Sequence, residues 1–182
     1  DSLSCVDIDN RAGGALAADY LLRRGHRCIG FVGGDREISG YTWRTSELRL
    51  AGFRERLAAA GLEPCVGDIA PDTATPDEAH RQALALLERS ERPSAIFAAS
   101  DSLALGVLRA ARERNVRVPD ELAILGFDDL DFSEFIGLST ISQSLETSGR
   151  QAVDLLLAAI ADPQPLTRHV QAPLRLVERN TT

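Results

Sequence analysis

The chain has 182 residues, of which 44% are hydrophobic and 26% charged, a composition that excludes intrinsic disorder and suits a unit burying about 70% of its unfolded surface. No apolar run approaches the roughly 18 residues of a membrane-spanning helix. A formal net charge of -7 repels phosphate backbones, so direct contact with nucleic acid is not expected of these residues.

In chain order, Leu3 to Ile8 alternates apolar and polar residues and predicts a strand, with Asp9 and Asn10 as caps for a helix from Arg11 to Arg24 that Gly25 ends. Cys28 to Gly34 (CIGFVGG) reads as a buried parallel strand running into a tight turn. A second helix begins near Arg44 to Glu47, places Leu50, Phe53, Leu57 and Ala58 at helical spacing and stops at Gly61. The unit then repeats in kind: a strand over Cys65 to Ala70, a helix over Pro76 to Ser90, a strand over Ser94 to Ser100, a helix over Ser102 to Asn115 and a strand over Glu121 to Phe127. This βα alternation predicts an α/β fold, a parallel sheet with helices on both faces. From Asp128 to Ser148 a long loop is expected, with one helical turn around Phe132 to Phe135. A last helix follows over Gly149 to Ala161, with Val153, Leu156, Leu157 and Ile160 along it, and then an extended tail over Thr167 to Val177.

Asp101 ends a buried strand and opens a helix, at the carboxyl edge of the sheet where open α/β proteins bind ligands. An ionised aspartate there only accepts hydrogen bonds, which suits a ligand rich in hydroxyl or N–H donors; capping of its own helix is the competing reading. Arg49 follows another sheet edge with a planar fork of donors. Trp43, in the polar loop YTWRTSE, either stacks on a ring or covers the core. The glycines of GFVGG fit neither GxGxxG nor the phosphate-loop pattern, so they read as a tight turn. Cys5, Cys28 and Cys65 have no CxxC spacing and read as reduced thiols. His26, His80 and His169 share no metal-ligand spacing with them, and no GxSxG serine is present, so neither an enzyme nor a cofactor or metal is expected. The acidic stretch GFDDLDFSE lacks calcium-loop spacing and reads as a solvated loop.

Four blocks in order carry a resemblance: VDIDNRAGGALAADYLLRRGHRCIGFVGG, RLAGFRERLAAAGL, RPSAIFAASDSLALGVLRAARERNVRVPDELAILGFDDLDF and the closing PLRLVERNTT. Together they resemble the lactose-repressor (LacI-type) family of transcriptional regulators over nearly the whole chain. The resemblance implies a type I periplasmic-binding-protein-like fold of two lobes with an effector, a sugar or related polar metabolite, in the cleft. Residues 1–27 and 143–162 are then expected in the N-terminal lobe, and 28–142 and 163–182 in the C-terminal lobe. The family further implies a cytoplasmic homodimer that binds operator DNA through a headpiece absent from this chain, with no role for a membrane. Arg49 in RLAGF resembles the family's effector-gripping arginine and Asp101 in AASD the aspartate that accepts effector hydroxyls. Thr45 and Ser46 match a loop that lends hydroxyls, and Ile69 falls where relatives place a stacking aromatic, for which Trp43 is a substitute. A periplasmic sugar-binding protein of a transporter is the rival; the absence of a leader-like opening and the odd cysteine count speak against it.

Overall fold

A computed structural model describes residues 3–34, 36–38, 41–66, 74–162 and 167–182, with the backbone alone for 36–38, 41–43 and 66. The elements run β1 (Cys5–Asp7), α1 (Asn10–Arg23), β2 (Ile29–Val32), β3 (Arg36–Ile38), β4 (Tyr41–Trp43), α2 (Thr45–Ala58), β5 (Cys65–Val66), α3 (Pro76–Leu87), β6 (Ala95–Ala98), α4 (Asp101–Glu113), β7 (Ala123–Asp128), α5 (Asp131–Phe135), β8 (Ser139–Ser142), α6 (Leu145–Ala161), β9 (His169–Gln171) and β10 (Arg175–Val177). Of the strand expected over Cys65 to Ala70, Cys65–Val66 is formed and the remainder lies outside the described residues.

Six strands form the main sheet in the order β10-β8-β7-β6-β2-β5. All its pairings are parallel except that of β10, which returns antiparallel along β8 with Leu176 opposite Ile141. The strands β2 and β6 are buried throughout, so they read as continuous apolar runs and not as alternation. Phe31, Phe53, Phe97 and Phe127 stack at the centre of the core, with ring centroids 5.2 to 6.4 Å apart.

Helices pack in pairs on the sheet. The helices α1 and α2 meet through glycines: a Cβ on Gly14 would lie 1.8 Å from the Arg49 carbonyl oxygen, and one on Gly52 1.9 Å from that of Arg11. Their counterparts α3 and α4 meet at Gly106, where a Cβ would fall 2.2 Å from the Pro76 carbonyl oxygen. The helices α1, α3 and α4 start where the sequence provides a cap. Asp9 accepts from the Ala12 N–H, Thr75 from Glu78 ahead of Pro76 at the first turn, and Ser100 from Leu103.

Two features correct the sequence expectations. The stretch from Asp128 to Ser148 holds a strand as well as a turn, because β8 (STIS) is fully buried although it is polar. Its hydroxyls are taken up internally: Thr140 donates to Asp101, and Ser139 lies 2.7 Å from Thr182. The second correction concerns the division of the chain. Apart from the β3–β4 hairpin, β1 and β9 pair in a two-stranded sheet separate from the main one, with α6 against β1. Helix α1, expected with β1 in residues 1–27, instead buries Ala17, Ala18, Tyr20 and Leu21 in the core of the main sheet, because its glycine face fits α2. Likewise β9, expected with the tail of the C-terminal lobe, pairs with β1.

Candidate functional site

The strand β2 leads through α2 to β5 on one side, and α3 then carries the chain back across to β6 on the other side of β2. Loops leaving the carboxyl ends of β2 and β6 therefore diverge, and such a switch point opens a crevice. A cleft of about 370 Å³ lies there, lined by Gly34 beyond β2, Thr45, Ser46 and Arg49 of α2, Ala99, Ser100, Ser102 and Leu103 after β6, Asp128 at the end of β7, and Ala74.

Arg49 is buried, with 6% of its surface exposed. Its Nε donates to Asn10 Oδ1 at 2.9 Å, and its Nη1 donates to the Ala99 carbonyl and lies 3.5 Å from Asp128 Oδ1. The guanidinium stacks 3.6 Å from the Phe127 ring centroid. Burial lowers its pKa while the Asp128 carboxylate opposes that shift, and an arginine in this setting stays charged. The fork is thus held in one plane on three sides.

Asp128 faces it. Burial pushes the carboxyl up to about 6; Asp101 adds to the shift, while Arg49 and the Gln143 amide, which donates at 2.6 Å, oppose it. Its backbone has φ 119, and the following Asp129 has φ 61, a left-handed pair that non-glycine residues adopt at a cost. Arg179 holds the pair in place, donating to Asp129 at 2.7 Å and to the Leu138 carbonyl at 2.8 Å.

Asp101 does not face the cleft, which corrects the expectation that it takes ligand. It is wholly buried. Oδ1 accepts from Thr140 at 2.5 Å; Oδ2 accepts from Ser133 at 2.6 Å and from the Leu130 N–H at 2.9 Å. Nor does it cap α4, since Ser100 does so and turns Asp101 inward under the β7–α5 turn. Burial raises its pKa and those hydrogen bonds oppose the shift. Gly126 is required beside it, because a Cβ there would lie 2.3 Å from Oδ1.

Thr45 and Ser46 line the cleft, and the Ser46 hydroxyl is engaged: it donates to the Gly34 carbonyl at 2.7 Å and receives the Gly34 N–H at 3.3 Å. Gln82 of α3 grips Gly33 in the same two-way manner. These amide and hydroxyl clamps set the turn that the sequence showed only as glycines. Ile69 and the side chain of Trp43 lie outside the described residues. The expectation of a solvated acidic loop is also corrected, since Asp128 pairs with Arg49 and Asp129 with Arg179. Among the described residues no group of three or more His, Cys, Asp or Glu could hold a metal ion.

Asn10, Ser100, Ser102 and Asp128 escaped the sequence reading. Asp128 had a usable signal: it ends the buried run AILGF on the same carboxyl edge as Asp101. Asn10 had none beyond its place at a helix start.

An open α/β sheet with a polar cleft at its switch point is the ligand-binding architecture of periplasmic binding proteins, and a model of the periplasmic binding protein-like domain matches residues 18–182. The chain belongs to that family. Within it, the chain is an effector-binding domain of the lactose-repressor type, as its ordered motifs implied. It is 33% identical over 177 residues to the HTH-type transcriptional repressor PurR of Salmonella newport, matching 96% of this chain and 50% of that protein. The chain spans about half the length of the curated relatives it matches. Among solved structures, the regulator CelR in complex with cellobiose superposes with a TM-score of 0.81 at 32% identity, over 99% of this chain and 54% of that one. A LacI-family regulator from Sanguibacter keddieii gives 0.83 at 31% identity, over 100% and 67%. These relatives are regulators, not enzymes, and no helix among the described residues is long and apolar enough to cross a membrane.

Proposed function

We propose that the chain senses a small polar metabolite, a sugar in the first instance, for a cytoplasmic DNA-binding repressor. The observation that carries this is the facing pair of Arg49 and Asp128 at the switch-point cleft, a fixed donor fork beside a fixed acceptor. Vicinal hydroxyls can accept from the first and donate to the second, and the Phe127 ring stiffens the arginine that receives them. Thr45 and Ser102 add hydroxyls around the rim, while those of Ser46 and Ser100 hold the Gly34 turn and the start of α4. A cellobiose-bound relative supports a sugar, and a PurR relative makes a purine the alternative to be tested alongside it.

In this reading β1, α6 and β9 belong to the N-terminal lobe and the six-stranded body is the C-terminal lobe. Effector binds one arrangement of the lobes more tightly than the other and so shifts their balance. Operator DNA is contacted by residues outside this chain, whose charge of -7 is unfavourable for that task, and the working unit is a homodimer matching a two-fold operator. The transporter-protein rival is not favoured by relatives that are regulators.

Titration calorimetry with cellobiose, ribose and a purine base tests the reading. One class is expected to give a saturable heat, and Arg49→Ala and Asp128→Ala to weaken it about 10- to 100-fold, the worth of a charge-assisted hydrogen bond. Unchanged affinity in both folded variants would show that the cleft is not the site.

A further inference from the structure

Cys28 and Cys65 stand together at the amino edge of the main sheet, the edge opposite the cleft. Cys28 directly precedes β2 and Cys65 opens the neighbouring parallel strand β5. Cys65 lies opposite Gly30, two residues beyond Cys28, so the alternation of a strand turns both thiols to one side of the sheet. Their sulfurs are 3.8 Å apart and both residues are half-buried.

We propose that Cys28 and Cys65 are a redox modification site, closing to a disulfide in the presence of a peroxide and reopening with a thiol reductant. Closure draws the sulfurs in by roughly 1.8 Å, from 3.8 Å to the ~2.05 Å of a bond. That movement falls on β5, which is two residues long and hydrogen-bonded on one side only, while β2 is buried between two neighbours and stays in place. One thiolate takes an oxygen from the peroxide, giving a sulfenic acid and hydroxide. The second thiol then attacks that sulfur, expels water and completes the S–S bond; two electrons leave the sulfurs and the peroxide is reduced to water. Burial and the adjacent Cys65 push the Cys28 thiol up, which suits Cys28 to the second step. The third thiol, Cys5, sits on β1 beside His169, 3.1 Å from its Nδ1, and takes no part.

The closed ring encloses β2, the β3–β4 hairpin and α2, the segment that carries Thr45, Ser46 and Arg49. Because the bond forms at the far edge of the sheet, its effect falls on the stability of this segment and not on the chemistry of the cleft.

The test is non-reducing tryptic mapping of the full chain after stoichiometric hydrogen peroxide, with free-thiol titration and thermal melting. The expected result is a linked species joining peptides 28–36 and 57–81, two hydrogens lighter than their sum. Titratable thiols should fall from three to one. The melting temperature should rise by about 5–10 °C, in line with a disulfide closing a loop of this length. Dithiothreitol should reverse the rise, and it should be absent in Cys28→Ser and Cys65→Ser. Recovery of Cys28 and Cys65 separately, as free thiols or as sulfinic acids, would overturn the proposal. So would a linked species that melts no higher than the reduced chain.

Discussion

Asp128 carries its charge on a left-handed backbone, buried against Arg49, and its carboxyl is pushed up to about 6. Because that value lies above the ordinary 3.8, the folded chain binds a proton between about pH 4 and 6 that the unfolded chain has released. The associated stability is present below about pH 4 and is lost as pH rises through 6, an amount of about 3 kcal/mol for a shift of this size. Urea denaturation at pH 4.5 and 7.5 should show about 2 kcal/mol of that loss in the native chain and not in Asp128→Asn; parallel profiles for the two would exclude it. Ligand hydroxyls that donate to the carboxylate favour its ionised form, so affinity for effector should rise through the same range. Asp101 behaves differently. Asp101→Ala strands Ser133, Thr140 and the Leu130 N–H at once and should cost about 3–5 kcal/mol in the same assay. The sequence placed Asp101 correctly on the sheet edge but could not give its direction. That direction depends on Ser100 serving as the cap and on partners far along the chain in α5 and β8.

At the scale of elements, the position of Arg49 depends on glycines outside the cleft. Gly14 and Gly52 let α1 and α2 touch backbone to backbone, and the Arg49 side chain is tied to Asn10 across that same contact. Gly14→Ala should force the helices apart, lower stability by about 1–3 kcal/mol as overpacking does, and weaken effector binding without altering a cleft residue. Calorimetry beside chemical denaturation separates the two effects, and a variant with native stability and native affinity would contradict the packing. Most helices and buried strands were legible from periodicity, in the apolar faces of α3 and α4 and the apolar runs of β2, β6 and β7, with Asp9 as the cap that sets α1. β8 was not, since a buried strand of serines and threonines has no hydrophobic pattern and depends on hydroxyl partners distant in sequence. The lobe assignment of α1 failed for a related reason, because sequence order sets it beside β1 whereas packing sets it beside α2.

Across the molecule, the six-stranded body is packed to its centre, while α6 buries none of its residues and leaves Val153, Leu156, Leu157 and Ile160 more than half exposed. Leu156→Ala and Ile160→Ala should therefore change the stability of this chain by no more than about 0.5 kcal/mol, whereas Leu86→Ala in the core should cost about 2–5 kcal/mol. The main sheet also divides the chemistry between its two edges, with the cleft at the carboxyl ends of β2 and β6 and the cysteine pair at the amino ends of β2 and β5. A wider depression of about 630 Å³, lined in part by Asp129, Asp131, Glu146 and Arg175, lies beyond the β7–α5 turn and gives an internal comparison. Amide chemical-shift mapping during titration with a sugar or purine that binds is the most direct test of where effector sits. The account predicts the largest shifts at Gly34, Ser46, Arg49, Ser100 and Asp128. Shifts centred on Asp131, Glu146 and Arg175, with the Arg49 and Asp128 amides unmoved, would contradict it.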